Sequence, residues 1–410
     1  MDWPSPIERG LSGSQYFLPR ASHVRLIFLL LLLPVLDLRA DQFDTLRTYW
    51  QNYLLTNAGS ASSVAANANS LWSSMDTSSG RSDVWSYLPL GSDSANLTTT
   101  FQQLEQMALA YAMPGSSLEG NASLAAAIDG GLNFVCTNYY SPASPEYGNW
   151  YDWEIGSPQA LNNAATLMYP TLTPLELTNY VNSENAYAPG SAFAEFGWMT
   201  GANTSDKCLV AIICGILCKN AGQITEGQTN LSPVFLYVSS GDGFHTDGSF
   251  VFHTVIAYNG HYGLVLLGDI PEIVNLLQGS TWQITDPNLT NVYNWVSASF
   301  EPLVYDNAMM DMVRGRIVSW SYETESGDAD GTYSAVRNIA GTRSPKRSSI
   351  PDEMTPPRFF ETRALAVKTT FPLWMNVRTF SHPASTNRAL RSRIGSLFLP
   401  PTLIPLSSAS

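Results

Sequence analysis

The chain has 410 residues, enough for one large domain or two ordinary ones. Hydrophobic residues make up 44% of it and charged residues only 13%, so it can bury a sizeable core behind a surface rich in Gly, Ser, Asn and Thr. A net charge of -13 argues against nucleic acid as a partner.

Along the chain, the first feature is an export signal. Arg20 and Arg25 precede an apolar run over residues 26–36, and Leu38-Arg39-Ala40 resembles a cleavage site, so residues 1–40 read as a signal peptide. The run is too short for a comfortable membrane span, and no stable membrane association is expected. An uncleaved signal anchor is the bland alternative. The sequons at Asn96, Asn121 and Asn288 fit a secreted, extracellular glycoprotein.

From residue 41 the periodicity is helical. Phe43, Leu46, Tyr49, Trp50, Tyr53 and Leu54 recur at three- and four-residue steps, and so do Phe101, Leu104, Met107 and Tyr111. Leu124, Ile128 and Leu132 mark a third helix. Ser157-Pro158 opens a fourth, and Thr173-Pro-Leu-Glu176 is a capping box for a fifth. Residues 206–220 predict a sixth, buried helix. Residues 271–277 and 288–295 add further helical stretches. Long loops rich in Gly, Asn and aromatics fall at 138–151, 185–200 and 239–250, lengths that usually mark function. The fold class is therefore all-α, with helical hairpins stacked in a ring and working residues around one mouth. Cys136, Cys208, Cys214 and Cys218 fit no zinc spacing and read as buried thiols, with one disulfide left open. No metal site and no cofactor are expected, and a monomer is.

The composition then changes. Residues 331–410 hold 11 of the 21 Lys and Arg but only three acids. Residues 321–410 read as a basic tail rich in Pro and Ser, expected to be disordered or an artefact of the gene model, and the domain proper is drawn at 41–320.

Four segments carry chemistry: Asn149-Trp-Tyr-Asp-Trp-Glu154, Thr200-Gly-Ala-Asn203, Gly241-Asp-Gly-Phe-His-Thr-Asp-Gly-Ser-Phe-Val-Phe-His253 running on to Tyr262, and Arg314-Gly-Arg316. Cleaving a uronic-acid polymer by elimination requires a partner for the carboxylate, a base for the C5 proton and an acid for the departing oxygen. Asn203 and Arg316 offer an amide and a cation for the carboxylate. His253 can hydrogen-bond or accept a proton, and Tyr262 can shuttle one if a nearby arginine lowers its pKa. Trp150, Tyr151 and Trp153 offer flat faces for sugar rings, and Arg314 is a further candidate for holding substrate. Each has a plainer reading. Asn203 can cap the helix behind it, the Trp-rich stretch can be core, Arg314 and Arg316 can be a solvated pair, and Asp242 and Asp247 beside glycines read as turn residues.

Taken together, the segments resemble polysaccharide lyase family 8, the hyaluronate, chondroitin AC and xanthan lyases, over roughly residues 41–320. The resemblance implies that Asn203, His253, Tyr262 and Arg316 are catalytic, with Tyr262 as general base and acid. It implies that Trp150 and Tyr151 position an acidic polysaccharide. It implies an incomplete α/α toroid lacking the C-terminal β-sandwich domains of the family. The chain departs from the pattern at Trp320, where the family has a second arginine, and at Phe252, where it often has Gln. A secreted lyase acting by β-elimination on hyaluronan, chondroitin or xanthan follows. The alternatives are a non-catalytic glycan-binding toroid or truncated inactive fragment, and a hydrolase using Asp152 and Glu154.

Overall fold

A computed structural model describes residues 41–188 and 199–341. The signal peptide, the middle of the 185–200 loop and the tail beyond 341 lie outside the described residues.

The first helices follow the apolar periodicity. α1 (Gln42–Thr56) buries Leu46, Trp50 and Leu54, the inward positions of its stripe. α2 (Ala61–Ser73) is capped by the Ser60 side chain, and α3 (Ser94–Ala112) by that of Asp93. α4 (Ala122–Asn138) is capped by Asn121. α5 (Ser157–Met168) follows a single π-turn at Asp152–Gly156. α6 (Pro174–Tyr187) has the capping box, with Thr173 and Glu176 each serving the other's backbone N–H. α7 (Gly201–Leu217) is buried along nearly its whole length and pairs with α8 (Ala221–Leu231).

A three-stranded antiparallel sheet follows: β1 (Gly243–Phe244), β2 (Phe250–Phe252) and β3 (Ile256–Ala257). A second π-turn, Asn259–Gly263, leads into the apolar α9 (Leu264–Leu277). α10 (Thr290–Trp295), the hairpin of β4 (Val304–Tyr305) and β5 (Ala308–Met309), and α11 (Glu325–Gly341) complete the described chain.

Successive odd-numbered helices pack side by side, α3 on α5, α5 on α7 and α7 on α9. α1 touches all four, and α2, α8 and α11 back this layer. This is the curved double layer of helical hairpins that the periodicity predicts.

Three expectations need revision. α7 begins at Gly201 instead of residue 206, because Thr200 is extended and the Asn203 N–H already bonds its carbonyl at 3.1 Å. The domain does not stop at residue 320. α11 packs on α9, and its Asp328 is buried against Arg314, so the folded body runs to Gly341. All four cysteines are free, and the disulfide left open by the sequence does not form. Among the described residues no helix is long and apolar enough to cross a membrane.

Candidate active site

The site is assembled where the N-terminal ends of α7 and α9 meet β2. Phe252 is the hinge pin of this junction. Its ring stacks on Tyr262 at 4.1 Å between centroids and 22° between planes. On the other side it lies so close to Gly201 that a Cβ there would sit 3.1 Å from the ring. Gly201 also has φ +50°, so glycine serves both the close approach and the backbone. Asn203 follows two residues later, in the first turn of α7, and is buried. The plain capping role does not hold for it, since Thr200 is the residue at the N-cap. Asn203 also heads an Asn-Thr-Ser sequon, and its burial leaves no room for a glycan in the folded site.

His253 ends β2 in a left-handed turn, with φ +51° at His253 and +68° at Thr254. A β-branched residue at that φ is strained, and such strain collects at functional positions. Asp242 holds the turn. Its Oδ1 accepts from the Thr254 backbone N–H at 2.7 Å, and its Oδ2 accepts from the Thr200 hydroxyl at 2.8 Å. One carboxylate thus ties the His253 turn to the start of the Asn203 helix. The sequence reading made Asp242 a turn residue and missed this bridge. Its Gly-Asp-Gly setting was the only available signal, and that does not name a partner twelve residues away.

Tyr262 lies in the second π-turn and is 3% exposed. Its hydroxyl accepts from Arg316 Nη2 at 3.0 Å. The His253 ring stands at 90° to its ring, 5.2 Å away. Burial pushes the phenol's pKa up, and Arg316 pulls it back only in part. The expectation of a lowered tyrosine pKa is therefore corrected, since the desolvation of a 3%-exposed phenol outweighs one guanidinium that is itself open to solvent. His253 is pushed the other way. Burial and Arg316 both lower its pKa, so it is a neutral imidazole at pH 7.

Tyr258, the near neighbour, has a different duty. It is fully buried, and its hydroxyl accepts from the Arg316 backbone N–H at 2.9 Å. It fixes the chain that presents Arg316. His261, also buried, is held neutral with its pKa down at about 3, by burial first and Arg316 second.

Arg314 is not a substrate residue. Its guanidinium is 1% exposed and bonds Asp328 at 2.6 Å, Asp311 at 2.8 Å and Glu325 at 3.2 Å. The two arginines are separated by Gly315, which has φ +56°, and Arg314 faces α11 while Arg316 faces Tyr262. Trp153 is corrected likewise. It is fully buried among Tyr140, Tyr147 and Tyr187, and its Nε1 donates to the Tyr147 carbonyl at 2.8 Å. Tyr151 is buried at 6% exposure, and Trp150 is the half-buried member of the three. Their π-turn is held against α7 by the buried ion pair of Glu154 with Lys207 at 2.7 Å, one helical turn beyond Asn203.

The same pair disposes of the hydrolase reading. Glu154 is committed to Lys207, and Asp152 accepts from the hydroxyls of Ser94 and Thr98 at 2.7 and 3.0 Å. Both acids are buried in the wall, and neither opposes the other across a gap.

The layer of helical hairpins thus carries an imidazole, a phenol and a guanidinium in contact at one end, with a buried amide in the first turn of α7. The chain belongs to polysaccharide lyase family 8: residues 51–350 match the model of that family's N-terminal α-helical domain. It is 35% identical over 314 residues to a xanthan lyase of Bacillus sp. strain GL1, an alignment covering 73% of this chain and 33% of that one. With a hyaluronate lyase of Thermasporomyces composti it shares 34% over 319 residues, covering 75% and 40%. Among solved structures, a Streptomyces coelicolor chondroitin AC lyase in complex with chondroitin sulphate superposes with a TM-score of 0.74 at 27% identity, covering 87% of this chain and 49% of that one. The chain thus spans about a third to two fifths of the length of these curated relatives.

Proposed function

We propose that the chain forms the helical wall of a lyase cleft and cleaves uronic-acid-containing polysaccharides by β-elimination. The observation that carries this reading is the Arg316–Tyr262 contact at 3.0 Å, with the His253 ring perpendicular to the same tyrosine. Asn203 and the neutral His253 take the uronate carboxylate as hydrogen-bond partners, so that negative charge spreading into it from C5 is stabilised. The Tyr262 oxygen, deprotonated with the help of Arg316, removes the C5 proton. The electron pair forms the C4–C5 double bond, the C4–oxygen bond breaks, and Tyr262 returns the proton to the departing oxygen. Trp150, half-buried and two residues before the first π-turn, is the aromatic face left to steer the chain.

The test is ultraviolet absorbance of the unsaturated uronate, followed on hyaluronan, chondroitin and xanthan with the full chain and its Tyr262→Phe variant. A rise lost in the variant supports the reading. Binding to these polymers with no rise would identify a non-catalytic toroid instead. We propose export as well, on the strength of the 1–40 segment. The mature chain recovered from culture medium should begin near residue 41, and retention of the segment in a membrane fraction would overturn this.

A further inference from the structure

Beyond Arg316 the chain turns through Trp320 and Tyr322 before α11 begins. Three contacts place Trp320 next to the site. The Arg316 guanidinium carbon lies 5.8 Å from its ring centroid and 6.0 Å from that of Tyr262, within cation–π reach of both. The Trp320 ring meets buried His261 edge to face at 5.6 Å. It also stacks on Tyr322 at 6.0 Å and 24°, and Tyr322 is 37% exposed. Trp320 is itself half-exposed. The result is a two-ring aromatic shelf, uncharged and open to solvent, contiguous with the residue that touches Tyr262.

We infer that Trp320, extended by Tyr322, is a specificity-determining subsite that takes the sugar ring next to the cleaved uronate and accepts it only without an anionic substituent. The inference rests on the lyase reading of the Tyr262 site. A pyranose presents a face of C–H groups that matches a flat indole. A sulfate on that ring would lose water against the shelf, while Arg316, the cation that contacts the shelf among the described residues, is already engaged with Tyr262. Charge on the neighbouring sugar is therefore selected against at this position, and an unsulfated polymer is favoured.

The test is calorimetric binding of two hexasaccharides with one backbone, unsulfated chondroitin and chondroitin 4-sulfate, to the full chain carrying Asn203→Ala, which slows cleavage and keeps the Arg316–Tyr262 contact. The unsulfated probe should bind about tenfold more tightly. Adding Trp320→Ala should remove the difference, Trp320→Phe should keep most of it, and Trp320→Arg should reverse it. Equal affinities in the Asn203→Ala chain would overturn the proposal. So would a preference that persists with Trp320→Ala, since it would then come from the acidic protein as a whole. Because binding is read apart from turnover, failure of the lyase reading shows separately, as absence of unsaturated product from the wild-type chain.

Discussion

Tyr262 lies between a buried, apolar setting that favours its neutral form and a guanidinium that favours its anion. Burial prevails, so the phenol keeps its proton at pH 7 and must lose it before it can act as a base. The sign follows: the rate of product formation should rise with pH through the neutral range. At the acid end it should fall as His253 becomes charged, below the ordinary imidazole value of about 6.5 because burial and Arg316 lower it. A pH–rate profile checks both limbs. Tyr262→Phe should lower turnover by at least about a thousandfold, and Asn203→Ala by about a hundredfold or more, measured as kcat. Asp242→Ala removes no reacting group but releases the His253 turn from Thr200. It should lower kcat by about ten- to a hundredfold with little change in thermal midpoint.

At the scale of elements, the site is built from helix ends and π-turns more than from loops. Asn203 is in the first turn of α7, and Tyr262 lies in the π-turn before α9. Wide turns of this kind recur at functional sites because they displace one residue from the helical path. Gly315 shows how tight the fit is. It has φ +56°, and a Cβ there would sit 2.1 Å from the Tyr258 ring. Gly315→Ala should destabilise the chain by about 2 kcal/mol or more, seen as a lower urea midpoint, and should also reduce activity by displacing Arg316. The helices themselves were legible from the sequence where the apolar stripe was regular, as in α1, α3 and α4. The Thr173 capping box was legible too, because its donors and acceptors lie within four residues. α2 and α8 were not, since Ala, Ser, Asn, Gln and Thr dominate them and leave the periodicity faint.

For the whole molecule, the decisive feature is that α11 closes the body through Arg314 and Asp328. Ending the chain at residue 320 would leave a buried guanidinium without its closest carboxylate. Relative to a chain ending at 341, it should lose about 3–5 kcal/mol of stability in urea unfolding or fail to fold. Stability should also vary with pH through Asp152. Burial raises its pKa to about 6, against about 3.9 when unfolded. Between those values the folded chain holds a proton that the unfolded chain has released. That contribution is complete at low pH and is lost as pH rises through about 6. The thermal midpoint should therefore be a few degrees higher at pH 5 than at pH 7.5, with a flatter profile in Asp152→Asn.

The class of the fold was legible in the sequence, and Asn203, His253, Tyr262 and Arg316 could be singled out there as candidates, because both readings are local. Helical stripes and caps need only neighbours three and four residues apart, and the segments around Asn203, His253, Tyr262 and Arg316 keep fixed internal spacings. Which aromatic and charged residues face outward was settled by packing between distant segments. Trp150, Tyr151 and Trp153 look alike in sequence, yet Trp153 is core. Arg314 and Arg316 are two residues apart, yet one locks α11 and the other reaches Tyr262. The direction of a side chain depends on what packs against it from distant parts of the chain. The same holds for the tyrosine's protonation, which is set by burial that no local spacing encodes.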